Sequence, residues 1–454
     1  MAKIVSMNPF TLEINGSFET ISREALDEKI ALAHQAFLSW KEVPKSQKKT
    51  LFLELARVIE SRREELAELQ TREMGMLYQA SFAWLGSTGK LISWFAENFE
   101  SLLTNEIETK NGTTHEYQYD PLGVIYGVAP WNFPFNQVLR AAIPNILAGN
   151  TVLYKHASNT PLAGIRIEEL FLEAGYPVWV YQNIMILSSE SEYILSRKEI
   201  RWVNLTGSEW AGRSIGSLAG KYLKPSVLEL GGNDGFIIAS TKHLESIAKE
   251  AMKARISNNG QKCNSSKRFI VLEKDYDTFL EYAKSAMESL IVGDPMNPET
   301  ELGPLARADL VEEIDAQVQK TLSEWARLIT GGKKLDRTWY FYAPTILADV
   351  TPEKTSYREE IFGPVASVIR VKDLDEAIEI ANNSDFGLCG CVYGDDIEEL
   401  KMIARRIETG MVFLNKPSAS QAHLPFGGVK LSGYGKENGP EWLRAFTNKK
   451  VIIY

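Results

Sequence analysis

Thiols are the most nucleophilic side chains available near neutral pH, and this chain has three, at positions 263, 389 and 391. Only Cys263 lies in a polar, charged neighbourhood, Asn258-Asn259-Gly260-Gln261-Lys262-Cys263-Asn264-Ser265-Ser266-Lys267-Arg268. Gly260 permits a tight turn, and positive charge from Lys262, Lys267 and Arg268 favours thiolate over thiol. A thiolate is what attack on a carbonyl carbon requires. Glu229 stands between Leu228 and Leu230, just before Gly231-Gly232. A carboxylate ending an apolar strand is costly unless paired or functional, and such surroundings raise its pKa toward that of a general base. Asn132, in Trp131-Asn132-Phe133-Pro134 after a strand ending at Val128, can aim an amide N–H at a developing oxyanion. Thr206-Gly207-Ser208 with Gly212 gives a Gly-x-x-x-x-Gly spacing at a strand-to-helix turn, where pyrophosphate can rest on a helix N-terminus. It is not the Gly-x-Gly-x-x-Gly fingerprint. Each feature also has a plain reading: an inert cysteine in a turn, a capping or paired glutamate, an asparagine shaping a bend before Pro134, a tight turn.

The elements that must position these groups show in the hydrophobic pattern. Residues 20–103 read as helical, with Ser22 as an N-cap and Leu26, Ile30, Ala33, Phe37 and Trp40 on one face. Residues 105–119 are polar with loosely alternating β-branched and aromatic residues, and read as an exposed β-ribbon or a linker. From Pro121 apolar strands alternate with helices: strands near 123–128, 151–154, 182–187, 201–205 and 227–230, with helices near 138–147, 162–174, 189–197 and 212–218. A second alternation runs from Asp234 to about Phe413. Strands separated by helices imply a parallel α/β sheet covered on both faces. Val451-Ile452-Ile453-Tyr454 reads as a short apolar strand that needs a partner edge, on this subunit or another.

Composition narrows the function. Fifty Lys and Arg against 59 Asp and Glu give a formal charge of −9, which argues against general nucleic-acid binding while leaving room for a local anion site. Three cysteines make no disulfide scaffold. The opening residues lack a signal-peptide pattern, and no run of about 18 apolar residues suggests a membrane span. A cytoplasmic location in a reducing compartment is expected.

The order of the motifs is more specific than any one of them. Pro130-Trp131-Asn132-Phe133-Pro134, Lys155 after a buried strand, Thr206-Gly207-Ser208, Glu229-Leu230-Gly231-Gly232, Gly260-Gln261-Lys262-Cys263, Glu360-Ile361-Phe362-Gly363-Pro364 and Pro425-Phe426-Gly427-Gly428 occur in this sequence. In these the chain resembles the NAD(P)-dependent aldehyde dehydrogenase superfamily over nearly its whole length, closest to its short bacterial-type succinate-semialdehyde branch. The resemblance implies an α/β fold of three parts. These are a Rossmann-like cofactor-binding domain (1–103 and 121–231), an α/β catalytic domain (232–430) and a small β-ribbon oligomerisation element (104–120 and 440–454), with the Val451–Tyr454 strand pairing across a subunit interface. It implies a homodimer or homotetramer acting on a small aldehyde, with no nucleic-acid or membrane partner and no metal. Cys263 would attack the aldehyde carbon, Asn132 and the Cys263 N–H would hold the oxyanion, and Glu229 would activate water to hydrolyse the thioester.

The same resemblance places Trp131, Lys155, His156, Ala157, Ser158, Thr206, Gly207, Ser208, Leu230, Glu360 and Phe362 around the cofactor, with Lys155 and Glu360 on the two ribose rings. At position 158 a glutamate would repel a 2′-phosphate; Ser158 does not, so NADP is the preferred cofactor expected and NAD a possible one. Arg140, eight residues after Asn132, is similar to the arginine that holds a distal carboxylate in succinate-semialdehyde dehydrogenases, with Ser420 as a matching hydroxyl; the alternative is that Arg140 forms a structural ion pair. Two departures stand out. Ser257 replaces a second arginine seen in some such enzymes, and Lys262 places a large charge beside the nucleophile, facing an anionic substrate or solvent. Cys389 and Cys391 read as small buried residues, without partners for zinc. The alternatives are another small aldehyde with NAD, a non-catalytic family member, or acyl transfer to coenzyme A. The last would make the base dispensable, so Glu229 speaks for hydrolysis.

Overall fold

A computed structural model describes residues 2–336 and 340–454; Met1, with which the expected cofactor-binding segment begins, lies outside them. The apolar strand-helix alternation folds into two large sheets. The first has six strands in the spatial order Gly433–Tyr434, Ser226–Glu229, Ile200–Thr206, Val124–Val128, Thr151–Lys155, Tyr181–Asn183. Five pair in parallel, and only the late edge strand Gly433–Tyr434 runs antiparallel. Chain order reverses between Val124–Val128 and Ile200–Thr206. At such a reversal neighbouring loops leave on opposite faces, and a crevice opens at the carboxyl ends of the strands, where ligands bind in open α/β sheets.

The second sheet has seven strands: Arg327–Thr330, Thr345–Ala348, Val365–Val371, Arg268–Leu272, Gly235–Ile238, Cys389–Tyr393 and Met411–Leu414. All neighbours but the first pair are parallel. Cys389 and Cys391 are buried in it, as expected.

Residues 23–102 form the helices Arg23–Trp40, Lys45–Ser61, Arg63–Met74 and Tyr78–Leu102. Ser22 caps the first by accepting from the Ala25 N–H, and all five residues expected on its inner face are buried. Trp40 also donates to the Ile146 carbonyl at 2.8 Å. That ties it to helix Asn136–Leu147, which is buried on every face. A charged residue in such a helix has no route to water, and Arg140 is one.

Residues 105–119 form a ribbon and not a linker: Glu106–Lys110 pairs antiparallel with Thr113–Pro121. The terminal strand Thr447–Ile453 takes the other edge of Thr113–Pro121 within the same chain. One partner edge thus lies in its own ribbon, and the strand's other edge has no partner among the described residues. The preceding helix Gly439–Ala445 sits against the first sheet's helices instead. Trp442 donates to the Arg140 carbonyl at 3.1 Å, and Phe446 meets Trp202 edge-on at 5.6 Å. Two further differences are a hairpin of Lys3–Met7 with Ile14–Glu19, which the pattern did not announce, and the strand expected over 182–187, of which only Tyr181–Asn183 pairs. No helix among the described residues is long and apolar enough to cross a membrane.

Candidate active site

Cys263 follows a turn in which Asn258 (φ 54°), Asn259 (φ 55°) and Gly260 (φ 78°) are all left-handed. Asparagine and glycine tolerate that conformation best, and the two amides also hold the turn in place. Asn258 donates to the Asn132 carbonyl at 2.9 Å. Asn259 donates to the carbonyls of Gly75 and Pro304 at 2.8 and 2.9 Å and accepts from the Gly303 N–H at 2.8 Å. A Cβ on Gly260 would fall 2.2 Å from the Gly363 carbonyl carbon, so only glycine fits. Gln261 accepts from the Ala306 N–H at 2.9 Å. The buried Arg255 donates to the carbonyls of Val365, Gly260 and Ile361 at 2.7, 3.1 and 2.7 Å. Lys267 donates to the carbonyls of Lys262 and Cys263 at 3.0 and 2.5 Å and pairs with Glu360 at 2.9 Å. The bracing by Arg255 was missed in the sequence because its carbonyl partners leave no pattern.

Cys263 alone among the three cysteines keeps partial exposure. Burial nevertheless pushes its thiol up to about 11, against the pull of Lys267 and Arg140. The expectation of a resting thiolate is therefore corrected: desolvation outweighs the nearby cations. Arg268 turns away altogether, donating to the carbonyls of Asn233, Ile380 and Ala381 at 2.8, 2.8 and 2.9 Å.

The amide of Asn132 is buried and donates one N–H to the Gln261 carbonyl at 2.9 Å. A primary amide has two such donors, so one remains beside the residues leading to Cys263. Glu229 ends strand Ser226–Glu229, is 2% exposed, and neither of its carboxylate oxygens has a hydrogen-bond partner among the described residues. It faces Gly427, where a Cβ would lie 2.3 Å from its Oε1. Arg140 forms a buried ion pair with Glu437 and also donates to Gln137, with its guanidinium 4.7 Å from the Phe426 ring centre. Its Nε is buried without a partner. Thr206 reaches Glu437 at 3.5 Å. Burial raises the pKa of both glutamates. Glu437 adds to the rise at Glu229, while Arg140 and Lys436 oppose it; Arg140 and Thr206 oppose the rise at Glu437. Ser420 accepts from Asn438 at 2.9 Å, so Arg140 and Ser420 engage consecutive residues. The sequence reading missed Glu437. It lies in a glycine-rich stretch far down the chain, and the only signal was an acid with no helical or strand pattern around it.

The crevice at the chain-order reversal gathers most of the remaining residues. The Gly207 N–H donates to the Glu229 carbonyl at 2.9 Å, and Ser208 caps helix Glu209–Lys221 by accepting from the Ala211 N–H at 3.3 Å. Gly212 lies against Leu230, where a Cβ would be 2.5 Å from Cδ1. Lys155 ends its strand with its ammonium on the His156 carbonyl at 3.2 Å, and burial lowers its pKa. Ala157 is half-buried and Ser158 exposed at the rim. Trp131 and Phe362 meet edge-on at 5.7 Å, and Glu360 accepts from the Gly232 N–H at 3.1 Å. His156 turns into the core, 3.1 Å from the Tyr181 hydroxyl and against Gly164, where burial drives its pKa down to about 3.

Residues 2–452 match the aldehyde dehydrogenase family. The chain belongs to that family. Among aldehyde dehydrogenases it is 37% identical over 447 residues to a Deinococcus radiodurans protein named succinate-semialdehyde dehydrogenase (NADP+), covering 98% of this chain and 94% of that one. It is 40% identical to a protein of the same name from Mycobacterium avium, covering 99% and 96%. A crystal structure of succinic semialdehyde dehydrogenase from Streptococcus pyogenes, in complex with NADP+ as the cofactor, superposes with a TM-score of 0.97 at 36% identity, over 99% of both chains. The aldehyde dehydrogenase fold thus accounts for both sheets and the ribbon.

Proposed function

We propose that this aldehyde dehydrogenase oxidises a short ω-carboxy aldehyde, succinic semialdehyde, to the acid with NADP. The observation that carries the reading is a buried guanidinium, Arg140, held by Glu437 and Gln137, with an Nε–H that has no acceptor among the described residues. The names of the relatives support the same substrate and cofactor.

In the proposed mechanism Cys263 loses its proton and its sulfur bonds to the aldehyde carbon. The second N–H of Asn132 and the Cys263 N–H take up the oxyanion, and Arg140 and Ser420 take the distal carboxylate. After oxidation the acyl group remains on sulfur as a thioester. Glu229, once ionised, accepts a proton from water as the water oxygen attacks that carbonyl, and the thiolate leaves. NADP, when bound, supplies the hydride acceptor. The crevice suits it. A helix N-terminus faces it behind the Thr206-Gly207-Ser208 turn, where a Gly207 Cβ would meet nothing closer than 3.6 Å. Lys155 offers an ammonium with no carboxylate partner among the described residues, and Glu360 a carboxylate. Ser158 leaves room for a 2′-phosphate, and Ala157 shapes the approach, whereas His156, expected at the cofactor, points into the core instead. Trp131, Leu230 and Phe362 line the end nearer the nucleophile. NAD is the weaker alternative.

The domain division at 1–103 with 121–231, 232–430, and 104–120 with 440–454 fits this scheme. Exposed Ile107, Ile453 and Tyr454 on the ribbon support a homodimer or homotetramer, and a cytoplasmic location belongs to the same reading. The test is the initial rate of nicotinamide reduction with succinic semialdehyde or butyraldehyde and NADP or NAD. Highest kcat/KM with succinic semialdehyde and NADP is expected. No turnover of succinic semialdehyde, with Cys263 still alkylated by iodoacetamide, would overturn the substrate assignment.

A further inference from the structure

Two cations besides Lys267 stand near Cys263, and their charges are handled differently. Arg140 has a carboxylate partner in Glu437. Lys262, immediately before the nucleophile, is only 9% exposed, and its ammonium lies 5.7 Å from the centre of the Trp84 ring. That ammonium has no hydrogen bond or ion pair with any described residue. The titratable groups that act on it most are the thiols of Cys263, Cys389 and Cys391 and the ammonium of Lys267. A buried ammonium with no counter-ion is costly, and a ring face recovers only part of that cost.

Lys262 also has a way out. It lines a cavity of about 1050 Å³ together with Ala80, Ser257 and Ser418. Ala80 and Trp84 are four residues apart on helix Tyr78–Leu102 and share a face. Ser418 donates to the Asn264 carbonyl, which fixes this wall to the residue after the nucleophile. Glu250, Glu301, Lys249 and Lys253 line the same cavity. An unpaired cation on the residue next to the nucleophile, set in a cavity wall, is suited to an anion that arrives with the substrate.

We propose that Lys262 determines specificity by contacting the carboxylate of the incoming ω-carboxy aldehyde, in addition to Arg140, whose charge Glu437 already shares. The proposal rests on the substrate reading above, so its test includes a measurement independent of that substrate. Cys263 is alkylated with iodoacetate, which is anionic, and with iodoacetamide, which is neutral and nearly the same size. Any change in thiol reactivity cancels in the ratio of the two rates. Lys262→Met is expected to lower the iodoacetate-to-iodoacetamide ratio about tenfold, with Lys262→Arg restoring it and Lys262→Gln lowering it like Met. An unchanged ratio in the Met and Gln variants overturns the proposal, as does an equal loss of both rates, which would mean that Lys262 only packs on Trp84. With aldehydes, the kcat/KM ratio of succinic semialdehyde to butyraldehyde is expected to fall about tenfold in Lys262→Met, mainly through KM. Should the wild type show no preference for succinic semialdehyde, the substrate reading fails while the alkylation ratio still decides the role of Lys262. Should the preference exist and survive in Lys262→Met, the role of Lys262 alone fails.

Discussion

Around Cys263 the amides of Asn259 and Gln261 and the guanidinium of Arg255 all end on backbone partners, whereas in the adjoining pocket the Glu229 carboxylate and the Arg140 Nε end on nothing. The first region spends its polar groups on holding a strained turn. The second leaves them without hydrogen-bond partners among charges of both signs, where one proton more or less changes the balance. A nucleophile needs a fixed position; a base needs a proton affinity that can be set by its neighbours. The contrast therefore separates positioning from proton handling, and each half can be broken by itself.

The largest effect is expected at the nucleophile: Cys263→Ala abolishes turnover while the melting temperature stays near that of the wild type. Asn132→Ala is expected to lower kcat by about 10²–10³-fold, the usual cost of an oxyanion donor, read in the same assay. Gly260→Ala tests the fixed turn. A left-handed φ and a Cβ 2.2 Å from backbone cannot both be relieved locally, so a loss of about 3 kcal/mol or more is expected in denaturant unfolding.

The proton-handling half is tested by Glu229→Gln. The folded pKa values of Glu229 and Glu437 lie above the ordinary value of 4.5. The folded protein thus keeps protons that the unfolded chain releases, and stability falls as pH rises from about 4.5 through the raised values. Glu229→Gln removes one of these losses. It is expected to melt higher than the wild type at pH 8 and no differently at pH 4, while giving a burst of reduced cofactor and then slow turnover. The smallest effect is on the rim: Ser158→Glu is expected to lower the NADP-to-NAD preference by roughly 10- to 100-fold through repulsion of the 2′-phosphate, leaving the thiol chemistry intact.

Local signals carried much of this into the sequence. The spacing of Leu26, Ile30, Ala33, Phe37 and Trp40 announced a one-faced helix because burial repeats with the helical turn, and the strand-helix alternation announced covered sheets. Cys263, Glu229 and Asn132 stood out because each is a reactive group in a segment that otherwise reads as turn or core. What stayed hidden depends on distant pairing. Glu437 is defined by Arg140, nearly 300 residues earlier, and Arg255 by carbonyls more than 100 residues away. The thiolate expectation failed for a related reason. Neighbouring lysines are visible in a sequence, but the burial that outweighs them is not.

The residues that complete the Glu229 pocket follow Cys263 by about 170 residues or more in the chain. Gly433 pairs beside Glu229, Glu437 neutralises Arg140, Trp442 seats on the Arg140 helix, and Thr447–Ile453 closes the ribbon. During synthesis the turn bearing Cys263 leaves the ribosome well before any of them. A nascent chain that has just completed this turn therefore carries its reactive sulfur but not yet the charge environment of its base.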